Sequence, residues 1–262
     1  LASKSIFLNI KKVENKMRLY ENESKELLKK FGVPLPDFYV ATKVEEVNTA
    51  PCVVKPLVLA GKKGKAGAVK ICATLEEAKK AASELLGRQV LGEQVENVLV
   101  EQKAEIESEY YLSFTYDSKQ KTPVVILSTK GGVDVEETAT KNPELILKKN
   151  INILTGIQPW QAREWLSEAG FKGKTILTMS SVVIKAWNCF LACDARLLEL
   201  NPIIETPAKE LVAVGAVIVL DDDAFQRHKE YSFHRTNKKQ TQREIEVKKI
   251  DEGDYRGVAG KY

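Results

Sequence analysis

Residues 52–72 read CVVKPLVLAGKKGKAGAVKIC, and the way this stretch returns on itself decides how the rest of the chain is read. Cys52-Val53-Val54-Lys55 is a short β-branched strand that leads through Leu57-Val58-Leu59 into the loop Gly61-Lys62-Lys63-Gly64-Lys65-Ala66-Gly67. Ala68-Val69-Lys70-Ile71-Cys72 then reads as the returning strand. The loop is not a P-loop, because the GxxxxGK[ST] spacing is missing and no helix follows directly. Glycines let backbone N–H groups approach an anion and lysines add positive potential, a combination that suits a polyphosphate. Lys55 can point at the same phosphates from the preceding strand. A solvated basic hairpin tip accounts for the same residues.

Outward from this stretch, strands and helices mix. Asn22–Phe31 carries Leu27, Leu28 and Phe31 at helical spacing, with Gly32 as the stop and Pro34 and Pro36 beyond it. Phe38–Thr42 is a strand. Leu75–Leu86 is a helix opened by Thr74 with Glu77 three residues on, and closed by Gly87. Asn97–Glu101 is a strand, and Tyr110–Tyr116 with Pro123–Ser128 form an antiparallel hairpin. Pro159–Ala169 and Ile176–Leu191 are helices; Arg196–Asn201 and Leu211–Val219 are late strands, and Asp221–Asp223 starts a final helical turn. Hairpins interleaved with helices predict α+β lobes rather than a doubly wound parallel sheet.

Two further places can carry chemistry. Glu101 ends one strand, Glu109 begins the next, and Ala104-Glu105-Ile106 lies between them. The backbone of such a connector can bond an adenine ring and a carboxylate can hold ribose hydroxyls; a surface turn is the plainer alternative. In Glu199-Leu200-Asn201-Pro202 a carboxylate and an amide alternate at a strand end, where proline is expected to break the sheet. Oxygen donors of this kind, with phosphate oxygens, make a Mg²⁺ site.

Composition narrows the class. The 262 residues are 44% hydrophobic and 29% charged, which excludes a disordered tail, a collagen-like repeat and a disulfide scaffold. Forty basic and 36 acidic side chains give +4, well interspersed, so no nucleic-acid partner is expected. No apolar stretch of about 18 residues is evident, so no membrane partner is expected and the chain reads as cytoplasmic, or as mitochondrial-matrix in a eukaryote. Cys52, Cys72, Cys189 and Cys193 match no zinc spacing, and two histidines, His228 and His234, leave little for a triad. Residues 1–16 read as an extension or tag ahead of Met17, and the end at Tyr255–Tyr262 has no capping element; both suggest a fragment.

Taken in order, Tyr20–Leu28, Gly32-Val33-Pro34-Leu35-Pro36, Val53-Val54-Lys55, Gly64-Lys65-Ala66-Gly67, Val100-Glu101, Gly131–Glu136 and Glu199-Leu200-Asn201-Pro202 form a series that resembles one family. It is similar to the β subunit of succinyl-CoA synthetase and its relatives, citryl-CoA synthetase and ATP-citrate lyase, over residues 17–262. The resemblance implies an ATP-grasp fold, two α+β lobes clasping a nucleotide: one lobe of about 30–111, the other of about 17–29 plus 112–247. Residues 248–262 would begin a linker to a CoA-ligase domain beyond this chain.

By the same resemblance, Lys55 contacts the phosphates of ATP, and Lys62, Lys63 and Gly64 form the loop closing over them. Glu101 and the backbone at Ala104 hold adenine and neighbouring groups, Glu109 faces the nucleotide, and Asn201 ligates Mg²⁺. A partner α subunit carries the phosphorylated histidine and the CoA site, so no catalytic nucleophile is expected in this chain. The implied product is an acyl-CoA formed with release of ADP. Gln158–Glu164 leans towards succinate, whereas Tyr110–Ser113 and Ala169–Gly173 lean towards the citrate enzymes. One departure is marked: Gly215 stands where a second metal-ligating aspartate is usual. An aspartate there is expected to restore metal coupling, and without one a non-catalytic nucleotide-binding or assembly module is the rival from another class.

Overall fold

Helix α1 (Glu21–Lys30) forms where Leu27 and Leu28 fall on one face, and it buries both together with Ser24 and Lys25. Glu23 accepts the N–H of Tyr20 at 2.8 Å to start it. Gly32, at φ +73°, ends it, with the N–H of Val33 on the carbonyl of Leu28 at 3.1 Å. The computed structural model describes residues 17–61, 63–132 and 135–228. Lys62, the extension expected at 1–16 and the linker expected at 248–262 lie outside them.

A small antiparallel sheet comes next. Strands β1 (Phe38–Ala41), β2 (Cys52–Pro56), β3 (Lys70–Cys72) and β6 (Val98–Gln102) lie in the order β1-β6-β2-β3. Between β3 and β6 run α2 (Leu75–Leu85) and a short hairpin of β4 (Gln89–Val90) and β5 (Glu93–Gln94). Period-two alternation sorts the faces. Val54, Val98 and Val100 pack with Ala78, Ala82 and Leu85 of α2. Antiparallel partners share a face, so Lys55 opposite Leu99 and Glu101 opposite Val53 stand together on the other side.

Residues 103–107 carry the chain to a larger sheet. The N–H of Lys103 bonds to Pro51 at 3.2 Å and that of Glu107 to Glu205 at 2.8 Å, so the connector is tied at both ends. Strands β7 (Ser108–Asp117), β8 (Thr122–Ser128), β9 (Ile146–Asn150), β10 (Ala195–Glu205) and β11 (Leu211–Ala213) order as β11-β10-β7-β8-β9, and β12 (Ala216–Leu220) also pairs with β10. β7 belongs to this sheet from Ser108 onward, so the passage between sheets falls ahead of the position near 111 expected from the sequence. The helices α3 (Val135–Lys141), α4 (Pro159–Glu168) and α5 (Lys174–Ala192) complete the described fold.

Three expectations change here. The strand at Asn201 does not end at Pro202: β10 continues to Glu205, and its register with β7 shifts between Leu200 and Ile203. Proline is tolerated because it sits in that irregularity, and on the other edge its carbonyl accepts Val214 at 3.1 Å and Gly215 at 3.3 Å. The same kink divides the expected strand 211–219 into β11 and β12. Finally, α5 is long and apolar enough to cross a membrane by length and composition, contrary to the reading that no such stretch exists. In the fold it is a core helix: Met179, Val183, Trp187 and Phe190 are buried, and Phe114 of β7 meets Trp187 and Phe190 at 5.5 and 5.8 Å between ring centroids. β4, β5, β9 and α3 carried no clear signal in the sequence.

Candidate functional site

Helix α1 touches β1 of the small sheet and β12 of the large one, so charges on its inward side meet both. Glu21 and Lys25 occupy i and i+4 positions there. The Nζ of Lys25 is fully buried; it donates to Glu101 and, at 3.0 Å, to the carbonyl of Val214. Lys55 reaches the same place from β2, with Nζ 2.8 Å from Glu21 Oε1, 2.6 Å from Glu101 Oε2 and 2.5 Å from the carbonyl of Val214. Lys63 arrives from the glycine-lysine loop and lies 2.6 Å from Glu21 Oε2. Three cations and two carboxylates therefore converge where helix, small sheet, loop and β11–β12 kink meet.

The electrostatics follow from that crowding. Burial would raise the Glu21 carboxyl, but Lys55, Lys63 and Lys25 together hold it well below the usual carboxylate range. Burial likewise opposes the charge on Lys55, yet Glu21 and Glu101 raise it above the ordinary lysine value. Lys25 is lowered, first by burial and then by the charge of Lys55. A buried group with such neighbours is a candidate functional centre as well as a structural one.

A second group adjoins the first through Val214 and Gly215. The N–H of Asn201 bonds to the carbonyl of Gly215 at 3.0 Å. Asn201 Oδ1 accepts the N–H of Gly132 at 2.9 Å, and its Nδ2 donates to Glu199 at 3.3 Å. The Gly132 donor identifies the oxygen of that amide, so its nitrogen faces Glu199. Glu109 lies on β7 opposite Ile204; its carbonyl accepts Gly131 at 2.8 Å, and its carboxyl packs so close that a Cβ on Gly132 would sit 3.0 Å from its Cδ.

The residues singled out from the sequence are thus distributed unevenly. Lys55, Lys63 and Glu101 come together, and Glu109 joins Asn201 through the Gly131–Gly132 turn. Glu101, expected beside adenine, is 2% exposed and has its oxygens on Lys25 and Lys55. Gly64 lies at the exposed loop tip, where nothing within 4 Å would meet a Cβ. Ala104 is half-buried in the connector between the sheets. Sequence reasoning passed over Glu21, Lys25 and the Val214 carbonyl. The first two left a trace, a charge pair four apart followed by buried Leu28 on one helix; a carbonyl leaves none.

A magnesium ion tests poorly against these donors. Gly215 brings no side chain, and it has no room for one: a Cβ there would stand 2.7 Å from the carbonyl carbon of Asn201 and closer to its oxygen. An aspartate at 215, expected to restore a ligand, would have to shift the Asn201 backbone first, as even an alanine would. Asn201 turns its oxygen to Gly132 and its nitrogen to Glu199, so its oxygen already serves one donor. Glu199 also offsets the effect of burial on nearby Arg18. Among the described residues no group of three or more His, Cys, Asp or Glu is placed to hold a metal. His228 lies elsewhere, 2.8 Å from Asp194.

Comparison with known proteins places this geometry in context. A family model described as an ATP-grasp domain matches residues 18–205. The chain is 39% identical over 228 residues to the β subunit of ADP-forming succinate–CoA ligase from Methanocaldococcus jannaschii, covering 86% of this chain and 63% of that protein. It is 38% identical over 220 residues to the corresponding subunit from Rubrobacter xylanophilus, covering 82% and 57%. The chain spans 57–63% of the length of these two relatives. Among solved structures, ATP citrate lyase from Methanothrix soehngenii superposes with a TM-score of 0.70 at 21% identity, over 90% of this chain and 60% of that one. A dinucleotide-forming acetyl-coenzyme A synthetase from Ca. Korarchaeum cryptofilum does so at 0.65 and 22%, over 84% of this chain and all of that one. At such identities these two share the fold.

Proposed function

The chain belongs to the ATP-grasp family, and from that premise we propose that it is the nucleotide-binding part of an ADP-forming acyl-CoA synthetase. The observation that carries this reading is the convergence of Lys55 and Lys63 on one carboxylate, that of Glu21. A strand and the glycine-lysine loop after it deliver two cations to a single oxyanion position. A phosphate of ATP placed there takes over the contacts that Glu21 now makes. Phosphoryl transfer asks little covalent chemistry of the protein, so cations held at the transferring oxygens act by position and charge neutralisation. Glu101, beneath Lys25 and Lys55, is a positioning residue for both. The connector at Ala104 and the carboxylate of Glu109 are suited to the base and its neighbouring groups.

The carrier histidine and the CoA site are assigned to a partner α subunit, because the relatives above are named as β subunits. Succinate is the favoured acid, because the relatives above are named as succinate–CoA ligases. Citrate is the alternative, on the strength of Tyr110–Ser113. A cytoplasmic setting, or a matrix one in a eukaryote, goes with this assignment. Gly215 favours a second reading, a non-catalytic module that binds nucleotide without turning it over. Calorimetric titration of ATP into the chain tests both. Binding is expected, weakened by about 1–3 kcal/mol in a folded Lys55→Ala variant, the range for one charge-assisted hydrogen bond. Absence of binding overturns both readings; binding without phosphorylation of an added α subunit selects the second.

A further inference from the structure

The family to which the chain belongs implies a divalent metal beside the nucleotide phosphates, and among the described residues no group of three or more His, Cys, Asp or Glu is placed to hold one. Gly215 sits against the Asn201 carbonyl with no space for a side chain. The amide of Asn201 is divided between Gly132 and Glu199, so one of the two lone pairs on its oxygen is already engaged at 2.9 Å. What the site has in abundance is lysine. Lys25 and Lys55 each pair with both Glu21 and Glu101, and Lys63 pairs with Glu21. With all five groups ionised the cluster carries +1, and with Glu21 withdrawn the three lysines and Glu101 leave +2.

We propose that these three lysines replace the metal as the counter-charge for phosphate, so that the chain binds a nucleoside polyphosphate in metal-free form by displacing the carboxylate of Glu21. This deepens the nucleotide-binding reading and rests on it. Glu21 is suited to the part of resident anion. Its two oxygens are separately engaged, one by Lys55 at 2.8 Å and the other by Lys63 at 2.6 Å, as two oxygens of one phosphate would be. Glu101 is suited to the opposite part, because it is buried in the small sheet and pairs with two of the lysines, Lys25 and Lys55. Lys63 is the member that must move with the loop. A metal already chelated by the phosphates would cancel part of the negative charge that draws the lysines, and Gly215 would bring it no side-chain oxygen.

The decisive measurement is calorimetric titration of ATP into the chain twice, once in EDTA and once in excess Mg²⁺, with Lys63→Ala taken through the EDTA arm. ATP is expected to bind in EDTA, with magnesium tightening it by less than about fivefold. Inorganic tripolyphosphate is expected to compete with ATP in the same buffer, because charge rather than the base supplies the attraction. Lys63→Ala, a loop substitution that leaves both sheets intact, should weaken metal-free binding by about tenfold. Binding that appears only with magnesium, or tightens by more than about fivefold on adding it, overturns the inference while leaving the nucleotide reading in place. Unchanged metal-free affinity in Lys63→Ala overturns it as well. No heat in either arm means that the nucleotide reading itself has failed.

Discussion

At the scale of single residues the centre of this protein is a buried ionic cluster, and buried ion pairs respond asymmetrically to mutation. Removing one partner leaves the other charge uncompensated, which costs more than the pair contributes. Lys25→Met takes a fully buried ammonium from between Glu101 and Val214. The variant should lose about 3–5 kcal/mol in urea unfolding, and a loss below about 1 kcal/mol would mean that Lys55 alone satisfies Glu101. Gly215 responds for a different reason. A side chain there meets the backbone of Asn201, so Gly215→Ala and Gly215→Asp should both destabilise by about 1–3 kcal/mol or more. The aspartate should not increase the magnesium dependence of ATP binding. A Gly215→Asp protein that is stable and newly metal-dependent would show that β10 and the kink after β11 yield.

Elements come next. The β11–β12 kink serves as a junction because Val214 and Gly215 face Asn201–Pro202 across the edge of β10, where regular pairing is interrupted. A continuous strand would tie the Val214 carbonyl into the ladder; here it is open to Lys25 and Lys55. Helix α5 holds the large sheet through its aromatic contacts. Phe190 is fully buried and meets Phe114, Tyr116 and Trp187 with centroids 5.8, 5.4 and 5.6 Å away. Phe190→Ala should cost about 3–5 kcal/mol in chemical denaturation, the range for emptying an aromatic core position. A loss under about 1 kcal/mol would indicate that α5 is not anchored on this sheet.

For the molecule as a whole, stability should be acid-sensitive. Glu21 is depressed by its lysines against the effect of burial, and Glu205, also against burial, by Lys209, Thr175 and Tyr110. Asp117 is depressed chiefly by its bond from Lys148, and Asp194, against burial, by His228 and Arg227. A carboxyl whose folded value lies below its unfolded value stabilises the fold above the unfolded value. It loses that contribution as pH falls towards the folded one. Unfolding free energy should therefore be steady near neutrality and decline from about pH 4.5 downward, followed by tryptophan fluorescence in urea at each pH. Glu21→Gln should flatten this acid limb. A stability that stays level down to pH 3 would show that the pairs persist in the unfolded chain.

Local patterns in the sequence were enough to determine the α+β class, the β7–β8 hairpin, the α2 cap and the stop at Gly32, because each depends on neighbours within a few positions. They were also enough to mark Lys55, Lys63 and Asn201, whose residue types and places at strand ends or in the loop are visible in a string of letters. The partners of these residues were not visible. Glu101 lies 76 residues from Lys25, and the Val214 carbonyl 159 from Lys55. Such pairings exist only once two sheets and a helix are packed. By resemblance Glu101 stands among the nucleotide-holding residues; only packing shows its oxygens on Lys25 and Lys55. Gly215 read as a missing ligand, and only the approach of the β10 backbone shows that no side chain can stand there. The physical reason is common to both: charge and steric room are properties of the assembled neighbourhood, and tertiary contact alone sets them.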